Sequence, residues 1–265
     1  EPGDAVRLDA RLLQRIRVAY ADHDDVRLGD GAIELRLAAH AVQGVAGGHG
    51  HRHAAEHAGR DSADKRREIG AAVAERSIAA AVLTLPDSIA WLLNIRGGDV
   101  PHTPVALCFA ILRADGTVAL FVDPAKVDDP MRAHLGEQVD VRTPDDFAPA
   151  LAGLSGERVL ADPAWTARWV FDRLREAEAE IVRDADPCQL PKACKNAVEL
   201  DGARAAHRRD GLALTRFLAW LAREADGGTP TEIAAADRLE AFRRESNLFR
   251  DLSFDTISGA GPNGA

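Results

Sequence analysis

The sequence predicts an α/β fold in which helices cover a sheet. Short apolar runs alternate with segments of helical periodicity between residues 61 and 186. Two of these runs flank Ala114-Asp115-Gly116, which is a turn signal typical of a β-hairpin. The composition, with 46% hydrophobic and 28% charged residues over 265 positions, is globular and suffices for one large domain or two ordinary ones.

The first half of this region predicts a helix, a strand, a second helix, a loop and a hairpin. Asp61 or Ser62 caps the first helix, on which Ile69 and Val73 fall on one face. Pro86 then opens a short helix that follows a buried strand. The predicted strands are Ala79–Leu85, Val105–Leu112 and Thr117–Val122, and the loop before the hairpin is Arg96–Pro104.

The second half continues the alternation of helix and strand. Thr143, Pro144 and Asp146 supply an N-cap, a first-turn proline and a first-turn carboxylate for a helix that runs to Leu154. The other predicted helices are Asp128–Leu135 and Trp165–Ala177, and the predicted strands are Gln138–Arg142, Arg158–Asp162 and Glu180–Asp184. The sequence therefore predicts one α/β domain over residues 61–186, followed by a linker at 186–191.

Two helices and a strand are predicted after the linker. The first helix covers about Asn196 to Glu224 and carries an apolar stripe of Leu214, Phe217, Leu218 and Leu221. The second begins at Thr229-Pro-Thr-Glu232, a capping box with proline at its first position. Leu252–Ser258 alternates as a strand, and the Gly259-x-Gly261-x-x-Gly264 string after it predicts a turn, because Pro262 interrupts the helix that a dinucleotide site needs.

Residues 1–58 predict an atypical segment without a settled fold, because histidine, glycine, alanine and arginine dominate it. It contains His53-Ala-Ala-Glu-His57, an H-x-x-E-H string like that of one class of zinc peptidases. Zinc catalysis also needs a rigid helix and a third ligand from elsewhere. Catalysis, adventitious metal capture by His53 and His57, and a plain solvated stretch all stay open, and the solvated stretch is favoured.

Charge and cysteine usage narrow the classes of partner and the compartment. A formal net charge of −9 disfavours nucleic acid and acidic membrane surfaces as partners. The longest apolar run, 105–112, is far shorter than the roughly 20 residues of a membrane span. Three cysteines without a C-x-x-C pair predict free thiols and a cytoplasmic protein, with Cys108 in the core.

The Arg96–Pro104 loop is the strongest local candidate for a site. Its two glycines and two prolines exclude regular structure, and it holds Arg96, Asp99 and His102. A loop of this composition either packs as a rigid connection or borders a substrate site, and both alternatives remain open.

Several separated strings resemble one family. They are Asp87-Ser-Ile-Ala-Trp-Leu-Leu-Asn-Ile-Arg-Gly-Gly-Asp-Val-Pro-His-Thr-Pro104, Leu190-Pro-Lys192, Ala205-Ala-His-Arg-Arg-Asp210 and Asp251-Leu-Ser-Phe-Asp-Thr-Ile-Ser-Gly-Ala-Gly-Pro-Asn-Gly-Ala265. Their order is similar to that of the cytosolic Xaa-Pro aminopeptidases (aminopeptidase P), which are creatinase-like metallopeptidases. The resemblance runs from about Glu56 to Ala265. It implies a creatinase N-terminal-like α/β domain over 59–188 and the first two helices and a strand of an α+β pita-bread catalytic domain over 189–265.

The resemblance also implies a function for a longer parent protein. Such enzymes remove the N-terminal residue from peptides with proline in second position, using two divalent metals, usually manganese, that polarise the carbonyl and activate a water. The family's five metal ligands follow the string that ends this chain, so no catalytic residue or metal ligand is assigned here. We expect the chain alone to be inactive and to bind no metal tightly. A homodimer is compatible with the sequence, and the alternative is a non-catalytic interaction or dimerisation module.

Overall fold

The computed structural model describes residues 50–227 and 230–264. Most of the predicted atypical segment, including His49, lies outside these residues, as does Thr229 of the predicted capping box. Residues 50–58, the last of the atypical segment, form a short strand and a short helix. No helix in the two described ranges is both long and apolar enough to cross a membrane.

Eight strands form two sheets. The strands are β1 (His51–Arg52), β2 (Ala80–Leu83), β3 (Ile95–Arg96), β4 (Phe109–Arg113), β5 (Val118–Phe121), β6 (Val139–Arg142), β7 (Arg158–Ala161) and β8 (Glu180–Arg183). The small sheet pairs β1 with β3, and the large sheet has the order β6-β5-β4-β2-β7-β8. Strand β4 runs antiparallel to both neighbours, whereas β2, β7 and β8 are parallel to one another. The predicted hairpin is confirmed as β4–β5.

Nine α-helices accompany the strands in the described residues. They are α1 (Ala55–Ala58), α2 (Ser62–Glu75), α3 (Pro86–Leu93), α4 (Asp129–Leu135), α5 (Phe147–Ala152), α6 (Arg168–Glu176), α7 (Gln189–Ala193), α8 (Ala197–Gly227) and α9 (Glu232–Arg244). The capping box at Thr143 and Asp146 is present, although a 3₁₀ turn over Pro144–Asp146 precedes α5. Helix α7 begins inside the predicted linker.

Both faces of the large sheet are buried, as the alternation of side chains along a strand allows. On β2, Ala81 and Leu83 pack in a core with side chains of α2, α3 and α4. Ala80 and Val82 point to the opposite face, where α5 and α6 supply the cover. Three layers with the sheet in the middle result, which confirms the predicted α/β class with helices over a sheet.

The helix α2 approaches the β4–β5 turn closely. A Cβ atom added to Gly70 would lie 2.9 Å from the backbone N of Gly116 and 3.0 Å from the carbonyl O of Ala114. Glycine at position 70 therefore permits a helix–turn contact that a side chain would push apart. Gly116 itself has φ of +84°, as the hairpin turn requires.

The two long helices after the linker are confirmed, but the strand after them is wrong. Leu252–Ser258 carries no strand, and no backbone ladder joins it to another segment within the described ranges. Its alternation is compatible with a strand, yet a strand needs a neighbour with which to share hydrogen bonds. Thr231 caps α9, accepting a hydrogen bond from the Ala234 N–H, so this helix starts later than predicted.

Helices α8 and α9 leave much apolar surface uncovered. Within the predicted stripe, Leu214 is 41% exposed and Leu218 is 54% exposed, whereas Ala213 and Phe242 are buried between the helices. The exposed part of the stripe is apolar surface that a partner could cover. Other large apolar side chains exposed on this part of the chain are Val198, Leu200, Leu212, Ile233, Leu248, Phe254 and Ile257.

Candidate functional site

The loop between β3 and β4 holds the predicted site residues, and its own backbone bonds shape it. Gly97 N donates to Pro104 O at 3.3 Å, and Asp99 N donates to Val105 O at 3.2 Å. A Cβ atom on Gly97 would lie 2.7 Å from Ala106 N, so the two arms of the loop are in contact at this point. The loop is therefore a folded unit fastened at its base.

Asp99 lies at that base and points into the protein. Its Oδ2 accepts hydrogen bonds from Lys126 Nζ and from Leu107 N, both at 2.7 Å. The Asp99 carboxylate is fully buried, and its Oδ1 has no hydrogen-bond partner among the described residues. Because a buried charge is tolerated only when it is paired, the ion pair fixes the loop to the turn that carries Lys126.

Arg96 ends β3 and turns back toward helix α3. Its Nη1 donates to the Ile95 carbonyl at 2.8 Å and to the Ala90 carbonyl at 3.3 Å. Burial lowers the pKa of the Arg96 guanidinium, and the carboxylate of Glu199 on α8 raises it. The side chain thus lies where the α/β domain meets the beginning of α8.

His102 lies at the tip of the loop with a left-handed backbone, at φ of +62°. Its ring contacts the segment after α9: Nε2 lies 3.1 Å from Asp255 Oδ1, and Nδ1 lies 3.2 Å from Asp251 Oδ2. The pKa of His102 is raised, chiefly by the hydrogen bond with Asp255. Sequence analysis missed this constellation, because nothing in the sequence relates His102 to Asp251 and Asp255.

The three loop candidates do not converge on one point. Arg96 bonds to α3, Asp99 bonds to Lys126, and His102 bonds to the 251–255 segment. Among the described residues, no hydrogen bond or ion pair joins any two of the three. Their common property is that each ties the loop to a different neighbouring element, and whether the loop also borders a substrate remains a prediction.

A buried lysine lies behind the loop. Lys65 Nζ donates to Asn94 Oδ1 at 2.8 Å and to the Trp91 carbonyl at 3.0 Å, and it lies 4.5 Å from the centre of the Trp91 ring. Burial lowers the pKa of Lys65 to about 8. A cation at the C-terminal end of α3 is favoured by the helix dipole, and Lys65 also bonds the side chain of Asn94, the left-handed residue that ends this helix at φ of +51°.

The usage of lysine is a signal that could have identified Lys65 and Lys126. Only four of the 33 basic residues of this sequence are lysines. Two of those four, Lys65 and Lys126, are among the few buried charged side chains. An ammonium is a compact donor that fits a small buried space, whereas the planar guanidinium is larger.

A buried carboxyl group lies at the junction between β8 and α7. Asp186 Oδ1 accepts a hydrogen bond from Cys188 N at 2.7 Å, and its Oδ2 is buried without a partner among residues of the described ranges. Desolvation raises the pKa of Asp186. It also raises the pKa of the Cys188 thiol, which disfavours the thiolate that nucleophilic chemistry requires.

Cys108 lies in the core, as predicted. It is buried, and desolvation raises the pKa of its thiol to about 12. Cys194 is exposed, and all three cysteines are free. His207 is exposed on α8, and its ring forms a hydrogen bond with the Ala203 carbonyl of its own helix, at 2.8 Å.

The H-x-x-E-H string forms a histidine pair in cationic surroundings. The ring centres of His53 and His57 are 5.8 Å apart. Burial lowers the pKa of His53 to about 4, and the charge of Arg96 contributes in the same direction. The neighbouring positive charges oppose a bound cation. Across the described parts of the chain, no group of three or more His, Cys, Asp or Glu side chains is placed to hold a metal ion.

The residues in the two described ranges therefore do not fit a dinuclear metal centre, whose ligands the resemblance places after Ala265.

The glycine string near the end forms a 3₁₀ turn over Gly261–Asn263. Glu232 Oε1 accepts hydrogen bonds from Ala260 N at 2.6 Å and from Asn263 Nδ2 at 3.2 Å. This geometry agrees with the predicted turn.

Comparisons with known proteins assign the chain to a family. Residues 49–199 match the model of the creatinase/prolidase N-terminal domain. A probable Xaa-Pro aminopeptidase P from Laccaria bicolor is 40% identical over 219 residues, which cover 79% of this chain and 33% of the relative. One from Aspergillus niger is 36% identical and is covered to 36%, so the chain spans about a third of the length of these relatives.

Solved structures agree with that assignment. The X-prolyl aminopeptidase of Caenorhabditis elegans, a cytosolic enzyme with a di-nuclear active site, is 28% identical and has a TM-score of 0.72. The match covers 80% of this chain and 36% of that enzyme. A prolidase from Thermococcus sibiricus, at 16% identity and a TM-score of 0.56, shares the fold. Because the family model matches more than half of the sequence, this chain belongs to the creatinase/prolidase N-terminal domain family.

Proposed function

We propose that this chain is the part of a metal-dependent Xaa-Pro aminopeptidase that precedes the metal centre. The enzyme removes the N-terminal residue from peptides that have proline in second position. The observation that carries the proposal is the similarity to aminopeptidases P, at 36–40% identity over about 80% of the chain. The relationship to a cytosolic enzyme with a di-nuclear site supports a cytoplasmic protein that works with two divalent metals, for which we propose manganese.

The 265 residues alone are proposed to be inactive. Support comes from the described residues, which provide no cluster of metal-ligating side chains, and manganese-assisted hydrolysis requires such a cluster to activate a water. The residues of this chain would contribute a rigid α/β domain and a loop whose Arg96, Asp99 and His102 are candidates for bordering the substrate. In this proposal 59–188 forms the middle domain and 189–265 begins the pita-bread domain.

An activity assay in two arms tests both statements. The 265-residue chain and its extension by the in-frame coding sequence that follows Ala265 are each incubated with manganese and an Xaa-Pro dipeptide. We expect release of the N-terminal residue by the extended protein and none by the 265-residue chain. An Xaa-Ala dipeptide is the matched control for proline specificity. An extended protein that cleaves neither dipeptide would contradict the proposed function, and turnover by the 265-residue chain would contradict its proposed inactivity.

The second candidate is a non-catalytic interaction or dimerisation module. The exposed apolar side chains of α8 and α9 favour it, because covering an apolar surface of this kind with a partner is energetically favourable. A self-associating chain whose extension has no peptidase activity would favour this candidate over the enzyme.

A further inference from the structure

The ring of His102 bridges two carboxylates through its two nitrogens. Nε2 faces Asp255 Oδ1 at 3.1 Å. Nδ1 faces the Leu252 carbonyl at 3.1 Å and Asp251 Oδ2 at 3.2 Å. Every one of these partners is an acceptor, so both nitrogens must donate to satisfy the geometry.

Only the charged imidazolium has an N–H on both nitrogens. A neutral imidazole carries one proton, and its other nitrogen would then direct a lone pair at an oxygen of the segment. In the neutral state one of the two sides is therefore repelled. The arrangement observed here is that of the protonated ring.

The geometry excludes a shared metal ion as the purpose of this cluster. Asp251 and Asp255 contact opposite edges of the ring, and one ion cannot coordinate a ring nitrogen while also reaching both carboxylates. The Asp255 side chain is 99% exposed, so the cluster is not enclosed as a catalytic site would be. The contact is therefore a connection between two pieces of chain.

The two pieces differ in how firmly they are held. The loop is fastened at its base by the buried Asp99–Lys126 pair. The 251–255 segment, by contrast, has no backbone ladder with any described residue, although its sequence alternates as a strand does. The bonds with His102 thus attach this segment to the α/β domain, and they depend on the charge of the ring.

We propose that His102 is a pH-dependent latch, which holds the 251–255 segment on the loop when the ring is charged and releases it when the ring is neutral. The groups that face the ring are Asp251, Asp255 and the Leu252 carbonyl on the segment. On the loop side, Asp99 is turned away and paired with Lys126. In the described residues no other charged side chain lies within ion-pair distance of the ring.

The direction of the switch follows from the surroundings. The hydrogen bond with Asp255 raises the pKa of His102 above its usual 6.5, and the charge of Asp251 adds to this effect. The latch is therefore closed at pH 6 and opens as the pH rises through the raised pKa. Opening frees the Leu252 carbonyl, which faces the ring nitrogen in the closed state.

Order parameters from backbone ¹³C relaxation at pH 6.0 and pH 8.5 test the latch, because they report the motion of the segment without requiring hydrogen-bonded amides. We expect the order parameters of residues 252–256 to be higher at pH 6.0, where the closed latch restrains the segment. Asp255→Asn should lose most of this difference, whereas His207→Gln, which changes an exposed histidine on α8, should retain it. Equal order parameters at the two pH values, or an unchanged difference in Asp255→Asn, would overturn the proposal.

A second measurement keeps the test independent of folding. The nitrogen resonances of the His102 ring, followed by NMR over pH 5 to 9, report its pKa directly. We expect Asp255→Asn to bring this pKa down toward its usual value, and because the Asp255 side chain is almost wholly exposed, the substitution leaves the fold intact. A pKa of His102 that does not move in Asp255→Asn would refute the latch.

Discussion

Lys126 donates a hydrogen bond of 2.7 Å from Nζ to Asp99 Oδ2, and both side chains are buried. The two residues are 27 positions apart, and their pairing joins the loop after β3 to the 3₁₀ turn Pro124–Lys126 after β5. Desolvation makes each charge costly when it is alone, so each residue requires the other. The loop that carries His102 owes its fixed base to this pair.

Removing the lysine should destabilise the protein strongly. Lys126→Met leaves the Asp99 carboxylate buried without its counter-charge, and we expect a loss of about 3–5 kcal/mol in the free energy of unfolding. Adding Asp99→Asn to Lys126→Met should recover part of the loss, because the buried charge is then gone. Urea unfolding followed by circular dichroism measures both variants. Equal stability of the single and double variants would show that the unpaired charge is not the cause.

An exposed ion pair provides the control for that experiment. Arg142 Nε lies 2.6 Å from Asp140 Oδ2 at the surface of β6. Asp140→Asn should change the free energy of unfolding by only about 0–1 kcal/mol, because water screens such pairs. A loss as large as that of Lys126→Met would mean that burial does not govern the effect.

The pH dependence of stability should reveal Lys65. Its folded pKa of about 8 is below the unfolded value of 10.5, so the unfolded chain binds more protons between these pH values. The contribution of Lys65 to stability therefore rises as the pH increases from 8 to about 10. We expect the difference in unfolding free energy between the protein and Lys65→Met to grow in favour of the protein over that window. A difference that does not change with pH would contradict the conclusion that burial lowers the folded pKa of Lys65.

The exposed Lys195 is the matched control for Lys65. Lys195→Met removes the same side chain from a solvated position, so its effect on stability should be nearly constant from pH 7 to pH 10. Growth of the Lys195→Met effect over the same window as that of Lys65→Met would indicate a general loss of positive charge as the cause.

The local elements of this fold were predictable, whereas the contacts of its candidate site were not. The hairpin of β4 and β5 and the N-cap at Thr143 depend on neighbours within a few residues, and both were predicted correctly. The strand at Leu252–Ser258 was wrong, because alternation shows which residues can share a face and not whether a partner strand is present. Pairs such as Asp99 with Lys126 join distant positions, for which spacing contains no information.

The same limit applies to His102. The glycines and prolines around His102 were enough to predict that it lies in a loop that could border a site. The contacts with Asp251 and Asp255 depend on how the chain returns after α9, more than 140 residues later. Only the folded structure could bring these groups together.

Asp186 should make stability fall as the pH rises. Desolvation raises its folded pKa above the usual value, so the folded state holds the proton more tightly than the unfolded chain does. Its stabilising effect is complete below the unfolded pKa of 3.8 and is lost as the pH rises through the folded pKa. Asp186→Asn keeps an acceptor for Cys188 N and carries no charge, so we expect it to be at least as stable as the protein at pH 7.

Asp162 is a carboxylate whose replacement by asparagine should destabilise the protein, unlike the replacement of Asp186. Its carboxylate accepts hydrogen bonds from Ala164 N, Asp186 N and Gln189 Nε2, at 2.8, 2.9 and 3.1 Å. Asp162→Asn weakens these charge-assisted bonds, and we expect a loss of about 1–3 kcal/mol at pH 7. Thermal unfolding of the two variants at pH 7 checks both predictions, and a destabilised Asp186→Asn would contradict the view that burial makes the ionised Asp186 costly.

The exposed apolar stripe of α8 should make the chain associate with itself. Covering a leucine side chain fully contributes roughly 1.5–3 kcal/mol, and Leu214 and Leu218 are each about half exposed. The net charge of −9 opposes association, and this repulsion is long-ranged and screened by salt. We therefore expect the weight-average mass in sedimentation equilibrium to rise with protein concentration, and to rise more at 0.5 M than at 0.05 M NaCl.

Leu218→Gln tests whether α8 provides the associating surface, and Leu190→Gln is its control. Leu190 is 73% exposed on the short helix α7, so its replacement removes a similar apolar surface from a different place. We expect Leu218→Gln to shift the equilibrium toward the monomer and Leu190→Gln to leave it unchanged. If both variants weaken association equally, contact is non-specific, and if the protein remains monomeric at every concentration, the stripe alone is too small to overcome the repulsion between two acidic chains.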